Sequence, residues 1–311
     1  MKLAMVFPGQ GSQAVGMLNG YAGLPAIDAV RAEAAAALGQ EFLAILDAGP
    51  LAQLNLTVNT QPAMVTVAIA AYRAWRALGG PAPAVIAGHS LGEYSALVAA
   101  GVLLFRDALP LVKYRAQCMQ DAVPEGTGAM AAILGLDDDA ARAACAEAAQ
   151  GEAVQAVNFN APGQVVIAGH RHAVARAIEA CKARGAKRAM PLPVSAPFHS
   201  SLMQPAADKL KIYLQKVLIS APGIPMINNV DVKTETNPPA IKDALVRQAA
   251  APVRWAEIIR AMAAQGVTHV VECGPGKVLA GLVKRIDPKL QGIAAADRAS
   301  LEAALASIKG G

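Results

Sequence analysis

An α/β architecture follows from three features of the chain. Short apolar runs at Leu3–Phe7, Ala84–Ala87 and Thr268–Cys273 each stop at a glycine-containing turn, with helical patterning further on. Strands alternating with helices in this manner build a mostly parallel sheet covered on both faces. Residues 126–193 break that rhythm and read strand-helix-strand-strand-helix-strand, the order of a ferredoxin-like (βαββαβ) unit. The third feature is bulk: 311 residues, 54% hydrophobic and 16% charged, suffice for a large domain with a smaller one set into it. The expected organisation is a large α/β body from 1–125 and 194–311, with a small subdomain at 126–193 inserted into it.

Leu3–Phe7 is an unbroken apolar run, as in a strand buried on both faces, and Pro8-Gly9 closes it. Stretches around Gly23–Leu38 and Gln61–Leu78 are rich in helix formers. Ala84–Ala87 is a second buried strand, with a helix from Glu93 to Ala100 after it. In Arg106–Gln120 the apolar residues Leu109, Val112, Ala116 and Met119 share one face, the spacing of an amphipathic helix. Within the insert, Gly128–Leu136 reads as a strand, and Asp137-Asp138-Asp139 opens a helix to Gln150 with acids at its positive end. Ala153–Asn158 and Gln164–Ala168 are strands joined by the turn-forming Phe159–Gly163. His172–Arg184 is a helix ended by Gly185, and Ala186–Val194 is the last strand of the unit. The body resumes with helices at Met203–Lys216, Pro239–Ala250, Trp255–Gln265 and Ser300–Ile308, and strands at Pro225–Val230 and Thr268–Cys273. Gly274-Pro275-Gly276-Lys277 turns that last strand toward a helix without the spacing of a phosphate-binding loop.

Composition also excludes several classes of function. The formal charge of +5 comes from scattered Lys and Arg with few aromatics, which argues against nucleic-acid binding and suits an anionic substrate or an acidic partner. The four cysteines form no C-x-x-C pair, so neither a disulfide framework nor a zinc site is expected, and each reads as a small buried or half-buried apolar residue. The first apolar run is too short for a secretory signal, and no run approaches membrane-spanning length. A cytoplasmic protein with no membrane partner is expected.

Gly88-His89-Ser90-Leu91-Gly92 lies between a strand and a helix, the context of a G-x-S-x-G nucleophile elbow and of an α/β-hydrolase-like body. Its glycines permit close backbone approach, and Ser90 would sit at a helix N-terminus that favours developing negative charge. This pattern points to acyl transfer through a serine ester. A serine hydroxyl needs a base, most often histidine. Of the five histidines, His89 must point away from its neighbour, His170 and His172 read as surface residues, and His269 reads as part of an apolar strand. His199, in the irregular segment Ser195–Ser201, is the remaining candidate, in the kind of loop where catalytic groups concentrate.

Six segments then carry a resemblance. Phe7-Pro8-Gly9-Gln10-Gly11-Ser12-Gln13, Gly88-His89-Ser90-Leu91-Gly92-Glu93-Tyr94, Tyr114-Arg115 and Asn158-Phe159-Asn160-Ala161-Pro162-Gly163-Gln164 occur in that order. Pro197-Phe198-His199-Ser200-Ser201-Leu202-Met203 and Gly274-Pro275-Gly276-Lys277-Val278-Leu279 complete the set. Over nearly its whole length the chain resembles the malonyl-CoA:acyl carrier protein transacylases of type II fatty acid synthesis. The resemblance implies Ser90 as nucleophile, His199 as base, and the backbone carbonyl of Gln248 as the acceptor that orients the imidazole. It implies backbone N–H groups of Gln10 and Leu91 as the oxyanion hole. Arg115 would hold the free carboxylate of malonate, with Gln61 and Asn160 near the acyl pocket. The segment Arg247–Val253 departs from the bulkier residues usual in that family before its proline. The implied substrate is malonyl-CoA, the acceptor an acyl carrier protein bearing phosphopantetheine, and no cofactor or metal is needed. The acyltransferase of malonate decarboxylase or of a polyketide system, or a serine esterase or thioesterase, would share the serine chemistry.

Overall fold

Every residue of Leu3–Phe7 is buried, and this run forms strand β1. A computed structural model describes residues 1–194 and 196–310, so Ser195, first residue of the loop read before His199, lies outside the described residues. After β1 come helices α1 (Ile27–Leu38), α2 (Gln40–Ala48), α3 (Leu51–Leu54) and α4 (Thr57–Ala77). Strand β2 (Val85–Gly88) leads through a tight turn into α5 (Gly92–Ala99) and then α6 (Phe105–Gln120). The middle of the chain forms β3 (Gly128–Leu134), α7 (Asp138–Ala149), β4 (Val154–Ala161), β5 (Gln164–His170), α8 (Arg171–Ala183) and β6 (Arg188–Pro191). Helices α9 (Gln204–Leu214), α10 (Pro238–Ala249) and α11 (Trp255–Ala264) follow. The chain closes with β7 (His269–Cys273), α12 (Val278–Ile286), β8 (Gln291–Ala295) and α13 (Arg298–Gly310).

Two sheets result. One is fully parallel, in the order β2-β1-β7-β8, and buries its apolar strands between helices on both faces. The other is antiparallel, in the order β4-β5-β3-β6, with α7 and α8 packed on one face through Ile133, Val165, Ile167 and Ile178. Its opposite face carries Met130, Val157, Val166 and Ala168, against which Phe198 of the loop before α9 packs. Among the described residues no helix is long and apolar enough to cross a membrane. All four cysteines are free and buried.

Several expectations need correction. Residues 225–230 make no strand: Met226 forms one bridge to Ile86, Ile227 one to Thr234, and the chain then leaves the sheet. The reason is local, because the next residues are polar and Asn229 turns its side chain to β2 instead of continuing the ladder. Strand β8 (sequence Gln-Gly-Ile-Ala-Ala) was not expected, since alanine and glycine give it little strand signal. Helix α2 was also missed, and α4 starts at Thr57 rather than Gln61 because it accommodates Pro62 inside its first turns. Strand β6 is shorter than 186–194.

Register aligns Phe7 of β1 with Gly88 of β2, so the loops leaving both strands emerge side by side at the carboxyl edge of the sheet. The approach there is very close. A Cβ on Gly92 would lie 2.1 Å from the Phe7 carbonyl oxygen, and one on Gly88 would lie 1.8 Å from the Gly92 carbonyl carbon. Gly92→Ala should therefore lower the thermal midpoint by about 3–10 °C, the effect of overpacking by a few kcal/mol in a chain of this size. Gly281→Ala is the control: beyond its chain neighbours and its own helix backbone, no atom lies within 4 Å of the added methyl. Scanning calorimetry should find it neutral or stabilised by about 0.5–1 kcal/mol.

Candidate active site

The turn between β2 and α5 holds Ser90 at φ 52°, a left-handed conformation that a serine adopts only under constraint. The constraint is Asn229. Its Oδ1 accepts from the Ser90 N–H at 2.7 Å, and its Nδ2 donates to the Gly88 carbonyl at 2.7 Å. The Ser90 hydroxyl meets His199, 109 residues later in the chain, with Oγ 2.6 Å from Nε2. His199 sits in the loop between β6 and α9, also at positive φ (65°), and is buried. Its Nδ1 lies 2.9 Å from the Gln248 carbonyl, which can only accept, so the proton is on Nδ1 and Nε2 is free to accept from serine.

Burial, followed by the nearby Arg115 cation, pushes the His199 pKa down to about 3, so the imidazole is neutral around neutral pH. Arg115 projects from α6 and is 2% exposed. Its Nη1 donates to Gln61 Oε1 at 2.9 Å, and its Nη2 to Gln248 Oε1 at 2.9 Å and, more weakly, to Ser90 Oγ at 3.4 Å. Nε has no partner among the described residues, and no carboxylate there bonds the guanidinium. The face of Tyr94 lies 5.3 Å from the guanidinium carbon. A guanidinium buried among amides beside a serine hydroxyl leaves a positive charge that an anionic group would complete.

The structure draws Ser90, His199, Gln248, Arg115 and Gln61 into one hydrogen-bonded network. Gln10 joins through its side chain, whose Oε1 accepts from Gln61 Nε2 at 3.0 Å. Leu91 follows Ser90 at the N-terminus of α5, and neither its N–H nor that of Gln10 has an acceptor among the described residues. Asn160 stands apart from the Arg115 network: its Oδ1 accepts from His89 Nε2 at 2.8 Å, and His89 packs on Trp255. The other histidines lie elsewhere. His170 accepts from the Ala153 N–H, His172 is exposed, and His269 is half-buried beside Thr268.

Two residues of the network carried no signal of their own in the sequence. Asn229 lies in a segment read as a strand, and Glu93 stood only as a member of the elbow motif. Glu93 is 1% exposed, and its Oε2 accepts from Gln248 Nε2 at 2.9 Å and from the Asn229 N–H at 3.2 Å. Burial pushes its carboxyl up to about 7 against the opposing pull of those bonds and of Arg115. Among the described residues no group of three His, Cys, Asp or Glu could hold a metal ion.

A serine on a strained strand-to-helix turn, bonded to an unprotonated imidazole, is the equipment of acyl transfer. Comparison with known proteins leads to the same class: the chain belongs to the acyl transferase domain family, whose model matches residues 4–297. It is 58% identical over 305 residues to the malonyl CoA-acyl carrier protein transacylase of Escherichia coli strain K12, covering 98% of this chain and 99% of that one. The acyl-carrier-protein S-malonyltransferase of Burkholderia pseudomallei 1710b is 61% identical and superposes with a TM-score of 0.96, covering 98% of this chain and 99% of that one. A malonyl-transacylase solved in complex with a type II polyketide synthase acyl-carrier protein is 52% identical with a TM-score of 0.97, covering 99% and 100%.

A neutral His199 has a kinetic consequence. The rate of serine acylation by an activated ester should stay level as pH falls through 6.5, because no proton enters the imidazole until the pH nears its depressed pKa of about 3. A rate that halves near 6.5 in wild type and in Glu93→Gln alike would mean that His199 titrates in the ordinary histidine range, since that variant removes the Glu93 carboxyl that burial raises to about 7.

Proposed function

We propose that this chain transfers the malonyl group of malonyl-CoA to the phosphopantetheine thiol of an acyl carrier protein through a malonyl-serine intermediate. The observation that carries the reading is the buried Arg115 guanidinium, bonded to no carboxylate among the described residues and 3.4 Å from the Ser90 hydroxyl that His199 holds. As Ser90 Oγ attacks the thioester carbonyl, its proton passes to His199 Nε2, and the Gln248 carbonyl keeps the imidazolium oriented through Nδ1–H. The tetrahedral oxyanion rests on the backbone N–H groups of Leu91 and Gln10. Collapse breaks the carbon–sulfur bond, and His199 returns the proton to the departing CoA thiol. The pantetheine thiol then attacks the malonyl ester with the same steps in reverse.

Arg115 and Gln61 supply selectivity in this reading. The Arg115 guanidinium would receive the malonyl carboxylate in the fork geometry that lysine cannot copy. An acetyl group would leave the buried charge unpaired, which disfavours it. Asn160 serves the acyl pocket from the rim, through His89 beside the nucleophile. No cofactor enters the transfer. The strand order supports a ferredoxin-like subdomain over 126–193, set into an α/β-hydrolase-like body of 1–125 and 194–311, with carrier protein and CoA entering where the two meet. The net positive charge suits an acidic carrier protein, and neither a nucleic acid nor a membrane takes part. The reaction belongs in the cytoplasm and supplies malonyl carrier protein for fatty acid synthesis. The likeness to a polyketide-associated transacylase makes a polyketide carrier protein the second acceptor to test.

Intact-mass spectrometry after mixing with malonyl-CoA tests the reading. A malonyl adduct should persist on Ser90 until holo carrier protein is added, and Ser90→Ala should carry none; steady hydrolysis in buffer without acceptor would instead identify a thioesterase. Replacing the anchor is the second test. Arg115→Ala should slow malonyl transfer on the order of a hundredfold, as expected for truncating one partner of a buried charge pair, while acetyl transfer gains relative to it. Malonyl turnover that survives the change would sink the anchor assignment.

A further inference from the structure

The buried Glu93 carboxylate takes no part in the reaction as derived, yet it lies one amide away from Arg115. The Gln248 side chain connects them. Its Nε2 donates both to Glu93 Oε2 at 2.9 Å and to the Ser90 carbonyl at 2.8 Å, two groups that can only accept while Glu93 is ionised. Its Oε1 is thereby turned toward Arg115 Nη2 at 2.9 Å. Rotating the amide end for end would set its oxygen against a carboxylate and a carbonyl, and its NH2 against a guanidinium. Three bonds would become three repulsions, so Glu93 and the Ser90 carbonyl together determine which atom Gln248 presents to Arg115. Asn229, which donates its own N–H to Glu93 Oε2, fixes the carboxylate in turn. A carboxylate bonded to Arg115 directly would compete with an acidic substrate; one placed behind an amide supports the guanidinium without occupying it.

We propose that Glu93 is a positioning residue which, through the side chain of Gln248, holds Arg115 for the free carboxylate of the acyl group and so sets the preference for malonyl over neutral acyl thioesters. This inference rests on the reading of Arg115 as the carboxylate anchor.

Steady-state kinetics with malonyl-CoA and acetyl-CoA, on Glu93→Ala, Glu93→Gln and Gln248→Met, test it. Cutting the relay at either member should raise the KM for malonyl-CoA by about tenfold, the effect of losing a hydrogen bond to a charged group, with a smaller change in kcat. In the Glu93 variants acetyl transfer should change by less than about twofold, since acetyl makes no use of the anchor; in Gln248→Met, whose backbone also serves His199, the malonyl KM should rise by more than the acetyl KM. Glu93→Gln keeps an acceptor oxygen for Gln248 and Asn229, and should recover most of the malonyl KM. A malonyl KM within about twofold of wild type in a folded relay variant overturns the proposal, as does an equal loss for both acyl groups or no recovery in Glu93→Gln. If Glu93→Ala does not fold, Gln248→Met decides between these outcomes, because it cuts the same relay and keeps the backbone carbonyl that His199 uses. Wild-type protein run alongside separates the two readings. No malonyl on wild-type Ser90 strikes the proposed function, whereas wild-type labelling with unaltered variants strikes only the role of Glu93.

Discussion

Both partners of the Ser90–His199 bond occupy left-handed backbone conformations, at φ 52° and 65°, and the rest of the site is arranged around keeping them there. Such residues cost on the order of 1–3 kcal/mol each and persist only where their surroundings over-determine them. On the serine side the determinants are the sub-van der Waals spaces that Gly88 and Gly92 leave open and the two-pronged clamp of Asn229. On the histidine side they are the Gln248 carbonyl and the fold of the loop, in which Ser200 Oγ donates to the Pro197 carbonyl at 2.7 Å. The contact is therefore an outcome of two independently braced turns rather than of the pair's own attraction.

One buried cation then acts on everything near it. Among the described residues Arg115 donates only to amide and hydroxyl oxygens, so its charge is solvated but not cancelled. The same charge adds to burial in keeping His199 unprotonated, which is the state a base requires. It also leaves an incomplete pair beside the serine. A single placement thus keeps the imidazole neutral and leaves a buried charge beside the serine hydroxyl.

The antiparallel sheet is a brace as much as an appendage. Strand β4 touches both arms of the site: Asn160 accepts from His89 at the elbow, and Gln155 Oε1 accepts from the Ser201 N–H in the histidine loop at 2.7 Å. The Phe159 N–H donates to the Val253 carbonyl at 3.0 Å and the Val253 N–H to the Val157 carbonyl at 2.8 Å, which ties β4 to the segment just after Gln248. Strand β4 thereby reaches every backbone segment that supplies the Ser90–His199–Gln248 line.

Much of this was legible in the sequence, for local reasons. Buried strands such as β1 and β2 announce themselves as unbroken apolar runs, and the elbow announces itself because glycine is required where two backbones nearly touch. Strand β8 was not legible, because an edge strand of alanine and glycine has no periodicity to read. Residues 225–230 misled because their apolar start resembles a strand, while Asn229 is drawn into side-chain bonds with β2. The sequence by itself thus determined the alternation of elements, the serine turn and the kinds of side chain available. The sequence and its resemblance already pointed to His199 and the Gln248 carbonyl; only the tertiary structure decided how closely they meet Ser90, and that Glu93 and Arg115 share one amide. Those contacts span long stretches of chain, and hydrogen-bond geometry between distant segments leaves no periodic trace in the residues that make it.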